Sequence, residues 1–293
     1  MTREFDPSTV QDAVAHGFAR RGDIDIVDAQ VHLAPTPSLE ALAAALDALG
    51  IAAVMFDELW GRNEHGHGTP CVELGDGAYR PFSPLAQAAA IQDPRRFSYV
   101  QRVSRRDPAV PQCLADPTAL PGCRALRIVL HDRSERERFA TGEYDEILSA
   151  AQQARLPVML LSRDCGALLS TAAGRFSSLS FIADHCGWIK TASQWDDVLA
   201  LGRFPNTNLK WSHAYRAFGR PDRADTDVQH AFERALDAFG AARMLWASDI
   251  THEESVSSWA QLLAFVLFNP ALTDSGREAV LAKTARRLFH WPS

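Results

Sequence analysis

The feature that most constrains this 293-residue chain is an eightfold alternation of short apolar runs with helical patterns. Most of the runs are rich in Val, Ile, Leu, Phe or Trp, which is typical of strands that are buried on both faces. The runs are Ile24–Leu33, Ile51–Glu58, Phe97–Ser104, Cys123–His131, Leu156–Ser162, Ser180–Trp188, Asn208–Ala214 and Arg243–Ile250. Strand–helix alternation of this kind predicts a parallel sheet.

The helical patterns between the runs favour a closed barrel. Ser38 is a candidate N-cap for a helix over Leu39–Leu49, and Gly50 directly follows that helix. Further helices are predicted at Glu143–Arg155, Val228–Phe239, Ser255–Phe268 and Ser275–Phe289. Eight strand–helix units predict an α/β fold of the (β/α)8 TIM-barrel class. An open doubly wound sheet is the alternative, and it is less favoured because no G-x-G-x-x-G follows the first strand.

The chain contains no repeat or linker that would divide the barrel. We therefore predict an N-terminal arm or peripheral helix over residues 1–22 and a single barrel domain over residues 23–293. One connection, over residues 59–84, is unusually long and contains Trp60, His65 and His67. Because it follows a strand, it is expected at the barrel mouth, where active sites of this fold form, and it is a candidate shield for the pocket.

Composition excludes several classes of function. The chain has 30 Lys and Arg against 36 Asp and Glu, a net charge of −6 with no basic block, so broad nucleic-acid binding is not expected. No apolar run reaches the roughly 18–20 residues of a membrane span, and the N-terminus does not resemble a secretory signal. Five cysteines without C-x-x-C spacing indicate reduced thiols, and thus a cytoplasmic protein.

Three strand ends carry candidate catalytic residues. In the first run, period-two alternation puts Asp28, Gln30 and His32 on one face, which is predicted to point into the barrel. His185 lies where the sixth run ends, and Asp249 lies where the eighth run ends. Because these ends meet at one rim, the three groups His32, His185 and Asp249 are expected to converge as general base, general acid or metal ligands.

Buried cationic residues are the second signal. Arg127 and His131 share a face of the fourth run, and an inward Arg requires an anion, either a protein carboxylate or one on a substrate. In the seventh run either Lys210 or His213 can face the lumen, depending on the register. An internal salt bridge is the alternative role of Lys210.

Taken in order, four segments carry a family resemblance. IVDAQVHL near the start, ADHCG, WASD and the closing TARRLF resemble the D-x-H-x-H, D-H-x-G, S-D and terminal helix motifs of the amidohydrolase superfamily. The similarity is to its amidohydrolase-2 (amidohydrolase-related) branch, and within it to sugar-lactone and 2-pyrone-4,6-dicarboxylate lactonases. That branch contains metal-dependent hydrolases, lactonases and decarboxylases.

The chain departs from the family pattern at two metal ligands. Gln30 replaces the first metal-binding His, and the fifth strand, Leu156–Ser162, lacks a His. The resemblance implies that His32, His185 and Asp249 are the remaining ligands for one divalent metal, Zn²⁺ or Mn²⁺. Metal-independent action, as in some lactonases that resemble this branch, is the alternative.

The combined expectation is a hydrolase that opens a lactone, or a related ester or amide, of a small anionic substrate. Asp249 is expected to act as general base, while His32 and His185 polarise the carbonyl group. The candidate substrate-binding residues are Arg127, Gln30, Trp60, Lys210 and His213. A metal-dependent decarboxylase on the same scaffold and a binding barrel without catalysis are the alternatives. A homo-oligomer is possible; neither nucleic acid nor a membrane is an expected partner.

Overall fold

The computed structural model describes residues 24–35, 38–60, 68–218, 227–253 and 257–292. The predicted N-terminal arm, residues 1–22, lies outside these residues. His65 and His67 of the long connection also lie outside them.

Eight parallel strands form one sheet that curls into a nearly closed barrel, which confirms the predicted fold class. The strands follow one another around the sheet in chain order, and each neighbouring pair is parallel. They are β1 (Val27–Leu33), β2 (Ala53–Glu58), β5 (Phe97–Arg102), β6 (Cys123–Leu130), β7 (Val158–Ser162), β8 (Phe181–Ala183), β9 (Thr207–Trp211) and β10 (Met244–Trp246). A separate antiparallel hairpin consists of β3 (Cys71–Gly75) and β4 (Ala78–Pro81).

Helices cover the outside of the barrel. They are α1 (Leu39–Leu49), α2 (Pro84–Gln92), α3 (Val110–Ala115), α4 (Arg133–Ala140), α5 (Asp145–Gln153), α6 (Cys165–Arg175), α7 (Ala192–Leu199), α8 (Ala214–Ala217), α9 (Val228–Phe239), α10 (Ile250–Glu253), α11 (Trp259–Leu267), α12 (Asp274–Glu278) and α13 (Thr284–Leu288). The start and end of α1 follow from its caps, because Ser38 accepts a hydrogen bond from the Ala41 amide and Gly50 adopts a left-handed φ of 69°.

Two apolar layers hold the barrel together. The outer layer lies between the strands and the helices, as Val54, Phe56 and Leu160 do. The inner layer fills the lumen with small and medium side chains such as Val27 and Met159, and it continues into the C-terminal helix. This packing closes one end of the lumen, so polar side chains inside the barrel are confined to the other end.

The first strand corrects a prediction about Asp28. A register irregularity lies between Asp28 and Val31, so strict period-two alternation fails there. Val27 and Ala29 belong to the inner layer, whereas the Asp28 carboxylate accepts a hydrogen bond from Trp259 of α11. Asp28 therefore does not share a face with Gln30 and His32, which do lie inside the barrel.

Several predicted strands are longer than the observed ones, and the sixth and the eighth extend furthest past their observed ends. The sixth ends at Ala183, because His185, Cys186, Gly187 and Trp188 all have positive φ angles and form a left-handed turn. The eighth ends at Trp246, and Asp249 also has a positive φ, of 46°. Both departures lie where the sequence places candidate site residues.

The long connection between β2 and α2 contains regular structure. Its β3–β4 hairpin is tied to the barrel by a bidentate ion pair in which Arg80 donates to Asp107 at 2.7 and 2.8 Å. Gln101 of β5 also donates to the Pro81 carbonyl oxygen at 3.0 Å. The hairpin is thus a fixed wall beside the barrel mouth rather than an irregular loop.

No disulfide is formed by the five cysteines: Cys71, Cys113, Cys123, Cys165 and Cys186 are all free thiols. Across the described ranges of the chain, no helix combines the length and the apolar character needed to cross a membrane.

Candidate active site

A cavity of about 560 Å³ opens at the ends of the barrel strands. Its wall includes all three predicted catalytic groups. The lining residues are His32, Leu59, Gly68, Arg102, Arg127, Val129, His131, Leu161, His185, Trp188, His213, Arg216, Asp249 and His252. Side chains from at least six strand ends therefore meet in one concave site, as expected for this fold.

Asp249 lies at the centre of the histidine cluster and is fully buried. One carboxylate oxygen, Oδ1, is 3.1 Å from His32 Nε2. The other oxygen, Oδ2, is hydrogen-bonded to His213 Nε2 and is 3.6 Å from His185 Nε2. Burial alone would raise the pKa of Asp249, but His32 and His213 outweigh this effect and hold the pKa well below its usual range.

His32 connects Asp249 to the second strand. Its Nδ1 is 3.0 Å from the Asp57 carbonyl oxygen, which can only accept, so Nδ1 carries a hydrogen. Its Nε2 lies 3.1 Å from Asp249 Oδ1 and 3.4 Å from Gln30 Nε2. His32 therefore joins the second strand to Asp249 at the cavity wall.

His185 is oriented by donors and acceptors on both sides of the ring. Arg127 Nη2 is 2.8 Å from Nε2, and since a guanidinium only donates, Nε2 is the acceptor. Nδ1, 2.8 Å from Ser212 Oγ, then carries the hydrogen. Burial lowers the pKa of His185 well below its usual value, in agreement with a neutral ring in this tautomer.

Arg127 contacts two carboxylates and is itself buried. It donates through Nε to Asp184 Oδ2 at 2.8 Å and through Nη1 to Asp57 Oδ2. Arg102 binds Asp57 from the other side in a bidentate pair of 2.8 and 2.7 Å. Burial would raise the pKa of Asp57, but the two guanidinium groups hold it below the usual range.

Lys210 forms a second buried ion pair below the cavity. Its ammonium group contacts Asp184 Oδ1 and donates to Gln30 Oε1. Burial lowers the pKa of Lys210, whereas the Asp184 carboxylate opposes that shift. Lys210 thus forms the internal salt bridge that the sequence analysis gave as its alternative role.

The structure resolves which residues of the seventh strand point inward. Lys210 and Ser212 both reach the lumen, as alternation requires. His213 also reaches it, because its φ of 55° turns the chain after β9 ends. Both candidates, Lys210 and His213, therefore face inward rather than one of them.

Trp60 lies outside the cavity wall. Its indole donates to Glu58 Oε1 at 2.7 Å, and 46% of the residue is exposed. Arg127 does line the cavity, but its donors are directed at protein groups. These placements lend no support to Trp60 as a substrate contact, and they give Arg127 a role in orienting other groups.

The sequence analysis did not single out Asp57, Arg102, Ser212 or His252. Asp57 and Arg102 stand at the ends of predicted strands, which is the same signal that identified His32 and Asp249. His252 belongs to the short helix that follows Asp249, and its ring centroid is 4.5 Å from that of His32. No strand pattern could have found His252.

Within the part of the chain that the structure describes, two groups of side chains have the spacing of metal ligands, and they share only Asp249. One group is His32, Asp249 and His252, and the other is His185, His213 and Asp249. His32 and His185 do not occur together in either group, so the predicted ligand set is divided. At His185 a metal ion would have to displace Arg127 Nη2 from Nε2 and remain beside a guanidinium charge. The donor set therefore fits a divalent ion poorly at that group.

Comparisons with known proteins agree with this architecture. An amidohydrolase from Burkholderia multivorans with bound HEPES has a TM-score of 0.71 at 16% identity, and the alignment covers 92% of this chain and 100% of that one. A protein provisionally called a 2-pyrone-4,6-dicarboxylic acid hydrolase, from Pseudomonas putida, has a TM-score of 0.68 at 19% identity, covering 92% and 99%. A 5-carboxyvanillate decarboxylase from Sphingomonas paucimobilis has a TM-score of 0.62 at 11% identity, covering 92% and 100%.

These likenesses show a shared fold. A search of curated protein sequences finds no significant match. The family model described as amidohydrolase matches residues 27–291, which includes the barrel and every residue of the cavity wall. The chain is therefore an enzyme that belongs to the amidohydrolase family.

Proposed function

We propose that this amidohydrolase hydrolyses a lactone, or a related ester, of a small carboxylate-bearing substrate. The observation that carries the proposal is the buried Asp249 carboxylate, which lies between His32 and His213 at the wall of a cavity large enough for a small molecule. A carboxylate that is held between two imidazole rings can orient a water molecule and accept its proton.

In the proposed reaction, water attacks the carbonyl carbon while Asp249 accepts one proton from the water. The positive charge of Arg127, which lines the same cavity, stabilises the developing oxyanion. The bond from the carbonyl carbon to the ring oxygen then breaks, and the protonated Asp249 returns its proton to that oxygen. Water and a lactone thereby give a hydroxy acid, with no other reactant.

His185 has a different proposed role from the one expected at first. Its Nε2 accepts from Arg127, so it is not a donor to the substrate carbonyl group. It orients the guanidinium instead, and Arg127 supplies positive charge close to the reacting carbonyl. An ester carbonyl is a better electrophile than an amide carbonyl, and it therefore needs less activation by the residues of the site.

An anionic substrate is supported by the charge of the cavity wall. Arg102, Arg127 and Arg216 line the cavity, and Asp249 is the only carboxylate among the lining residues that the structure describes. Positive charge on a cavity wall attracts an anionic substrate even where guanidinium donors are bound to protein groups. A dicarboxylic acid named for the Pseudomonas putida neighbour would match this wall, and we propose substrates of that chemical class.

We infer that hydrolysis here requires no metal ion. Three cations beside the histidine cluster, Arg102, Arg127 and Lys210, are already matched by three buried carboxylates, Asp57, Asp184 and Asp249. A divalent ion would add two uncompensated charges to this low-dielectric region. Gln30 supports the same inference, because it stands where the family pattern has a metal-binding His and its side chain accepts a hydrogen bond from Lys210 instead.

A decarboxylase remains the competing activity, since a neighbour of the same fold is a 5-carboxyvanillate decarboxylase. The test is to supply chelator-treated protein with a set of lactone carboxylates and aromatic carboxylic acids. The proposal predicts acid release by ring opening of the lactones and no evolution of CO₂. Metal-dependent CO₂ release from the aromatic acids, with no lactone turnover, would replace it with the decarboxylase function.

A further inference from the structure

The barrel is joined across one seam by polar contacts instead of a strand ladder. Among the described residues, β1 and β10 are the two ends of the eight-stranded sheet, and no ladder pairing joins them. One backbone hydrogen bond crosses the seam just beyond β10, from the Asp249 amide to the Gln30 carbonyl oxygen at 3.0 Å. The Asp249 carboxylate therefore lies beside a gap in the strand pairing of the described barrel.

Asp28 forms a further contact across this seam. Its Oδ1 accepts from the Ser248 amide at 2.9 Å and from the Gln30 amide at 3.2 Å. Its Oδ2 accepts from the Trp259 indole at 2.9 Å. Asp28 is completely buried, and one carboxylate thus links β1, the segment after β10 and helix α11.

Asp249 needs such a link because its backbone is strained. A positive φ in a residue other than glycine persists only when the surrounding structure fixes it. The preceding residue, Ser248, is held at its amide by Asp28, while its Oγ accepts from the Ile250 amide at 3.2 Å. Both neighbours of Asp249 in the chain are therefore restrained.

We propose that Asp28 is a positioning residue of the active site, which holds Ser248 and Gln30 so that the Asp249 carboxylate faces His32 and His213. The consequence for turnover rests on the proposed hydrolase function, whereas the consequence for the geometry does not.

The cost of burying this carboxylate supports a role beyond packing. Burial raises the pKa of Asp28 to about 6, against four hydrogen bonds that lower it, two of them from Ser248. An apolar side chain would fill a core position without this cost. The directed pair of bonds to two backbone amides is what an apolar residue cannot supply.

The test uses Asp28→Asn, which keeps the shape of the side chain. An amide has one acceptor oxygen, so its NH₂ group must face either the Trp259 indole donor or the two backbone donors. We expect kcat for lactone hydrolysis to fall about 10- to 100-fold, with KM changed less than about threefold. Amide hydrogen exchange over residues 246–250 should become faster.

The second variant is Asp28→Asn combined with Trp259→Phe. A phenyl ring has no N–H group to face the amide NH₂. The amide oxygen can therefore again accept from the backbone amides of Ser248 and Gln30. This double variant should recover most of the kcat that Asp28→Asn loses. Thr207→Val is the matched control, because Thr207 is equally buried and donates to the Leu201 carbonyl oxygen, far in the fold from Asp249. It should lower stability without changing kcat or exchange over residues 246–250.

The outcomes separate the two proposals. Unchanged kcat and unchanged exchange in Asp28→Asn would overturn the positioning role. If the wild-type protein opens no lactone, the proposed function fails, and the exchange of residues 246–250 alone decides the role of Asp28. If Asp28→Asn does not fold, Trp259→Phe replaces it, with faster exchange and a kcat loss of about two- to fivefold expected from one lost hydrogen bond.

Discussion

At the scale of single residues, Arg127 is the cation that balances the interior of the barrel. It is 2% exposed and binds both Asp57 and Asp184. Removing one partner of a buried ion pair leaves the other partner charged in a low-dielectric environment, which costs more than the pair contributed. Arg127 is therefore as important for stability as for the charge of the site.

Replacing Arg127 by Met tests this balance. We expect the free energy of unfolding to fall by about 3–5 kcal/mol, because Asp57 and Asp184 lose their shared cation. Urea denaturation at neutral pH measures the change. Arg133→Met is the control, since Arg133 is exposed and pairs with Glu137 within one helix, and its effect should stay below about 0.5 kcal/mol. An equal effect of the two substitutions would contradict the account.

The sequence predicts His32, His185 and Asp249 because each ends an apolar run. It does not predict how charges pair across strands, since pairing depends on the register of the barrel. His32 stands beside Asp57 only because β1 and β2 align these two residues. Asp57 and Arg102 therefore carry the same sequence signal as His32, but their functions become apparent only in three dimensions.

At the scale of elements, the β3–β4 hairpin borders the substrate side of the barrel. Tyr79 and Pro81 line a second cavity of about 330 Å³, which shares Arg102 and His131 with the active-site cavity. The hairpin is held against the barrel by the pair Arg80–Asp107, in which Asp107 is almost completely buried. Its position should therefore affect substrate binding more than chemistry.

Substitution of Arg80 by Gln should release the hairpin. We expect faster amide exchange over residues 71–81 and an increase in KM, while kcat changes little. Global stability should fall by less than in Arg127→Met, because Arg80 is 44% exposed and Asp107 keeps the hydrogen bond from the Ala109 amide. Arg234→Gln is the control, since its pair with Asp196 joins two outer helices. A loss of kcat with unchanged KM would contradict this role of the hairpin.

Element boundaries are predictable where caps define them. Helices α1 and α9 begin and end where Ser38 and Gly50, or Asp227 and Gly240, place them. The ends of the sixth and eighth predicted strands are wrong because left-handed residues such as His185 and Asp249 look no different in sequence from strand residues. These backbone conformations occur at candidate site residues, and local propensity does not reveal them.

At the scale of the whole molecule, buried carboxylates give stability two opposite pH dependences. The pKa of Asp57 lies below its usual range, so its contribution is lost as pH falls through that low value. The pKa of Asp28 is raised from 3.8 to about 6, so its contribution is complete below pH 4 and is lost as pH rises through 6. Because the two effects oppose each other, a comparison of variants is needed to separate them.

The difference in unfolding free energy between the wild-type protein and Asp28→Asn isolates the Asp28 effect. Asn does not titrate, and the contributions of the other carboxylates cancel in the difference between the two proteins. The stability advantage of the wild type over the variant should shrink by roughly 2–3 kcal/mol between pH 4 and pH 7.5. Urea denaturation at a series of pH values measures it. A stability advantage that stays constant or grows with pH would show that the pKa of Asp28 is not raised in the folded state.

The architecture of the whole molecule is the part that the sequence predicts best. Eight buried strands alternating with helices leave few arrangements, and the parallel barrel is one of them. The hairpin β3–β4 was missed because its strands are short and mostly exposed, so they lack an apolar run. Substrate identity depends on wall residues from such connections, which follow no general pattern.

The central claim is that Asp249, held by His32 and His213, performs metal-independent hydrolysis in this cavity. The most direct measurement is the turnover of a lactone carboxylate by chelator-treated protein, compared with Asp249→Asn at equal folded concentration. The account predicts full activity in the chelated wild type and a loss of at least about 1000-fold in the variant. Exposed Asp237→Asn should retain wild-type turnover. Activity that vanishes on chelation and returns with Zn²⁺ or Mn²⁺, or that survives in Asp249→Asn, would contradict the claim.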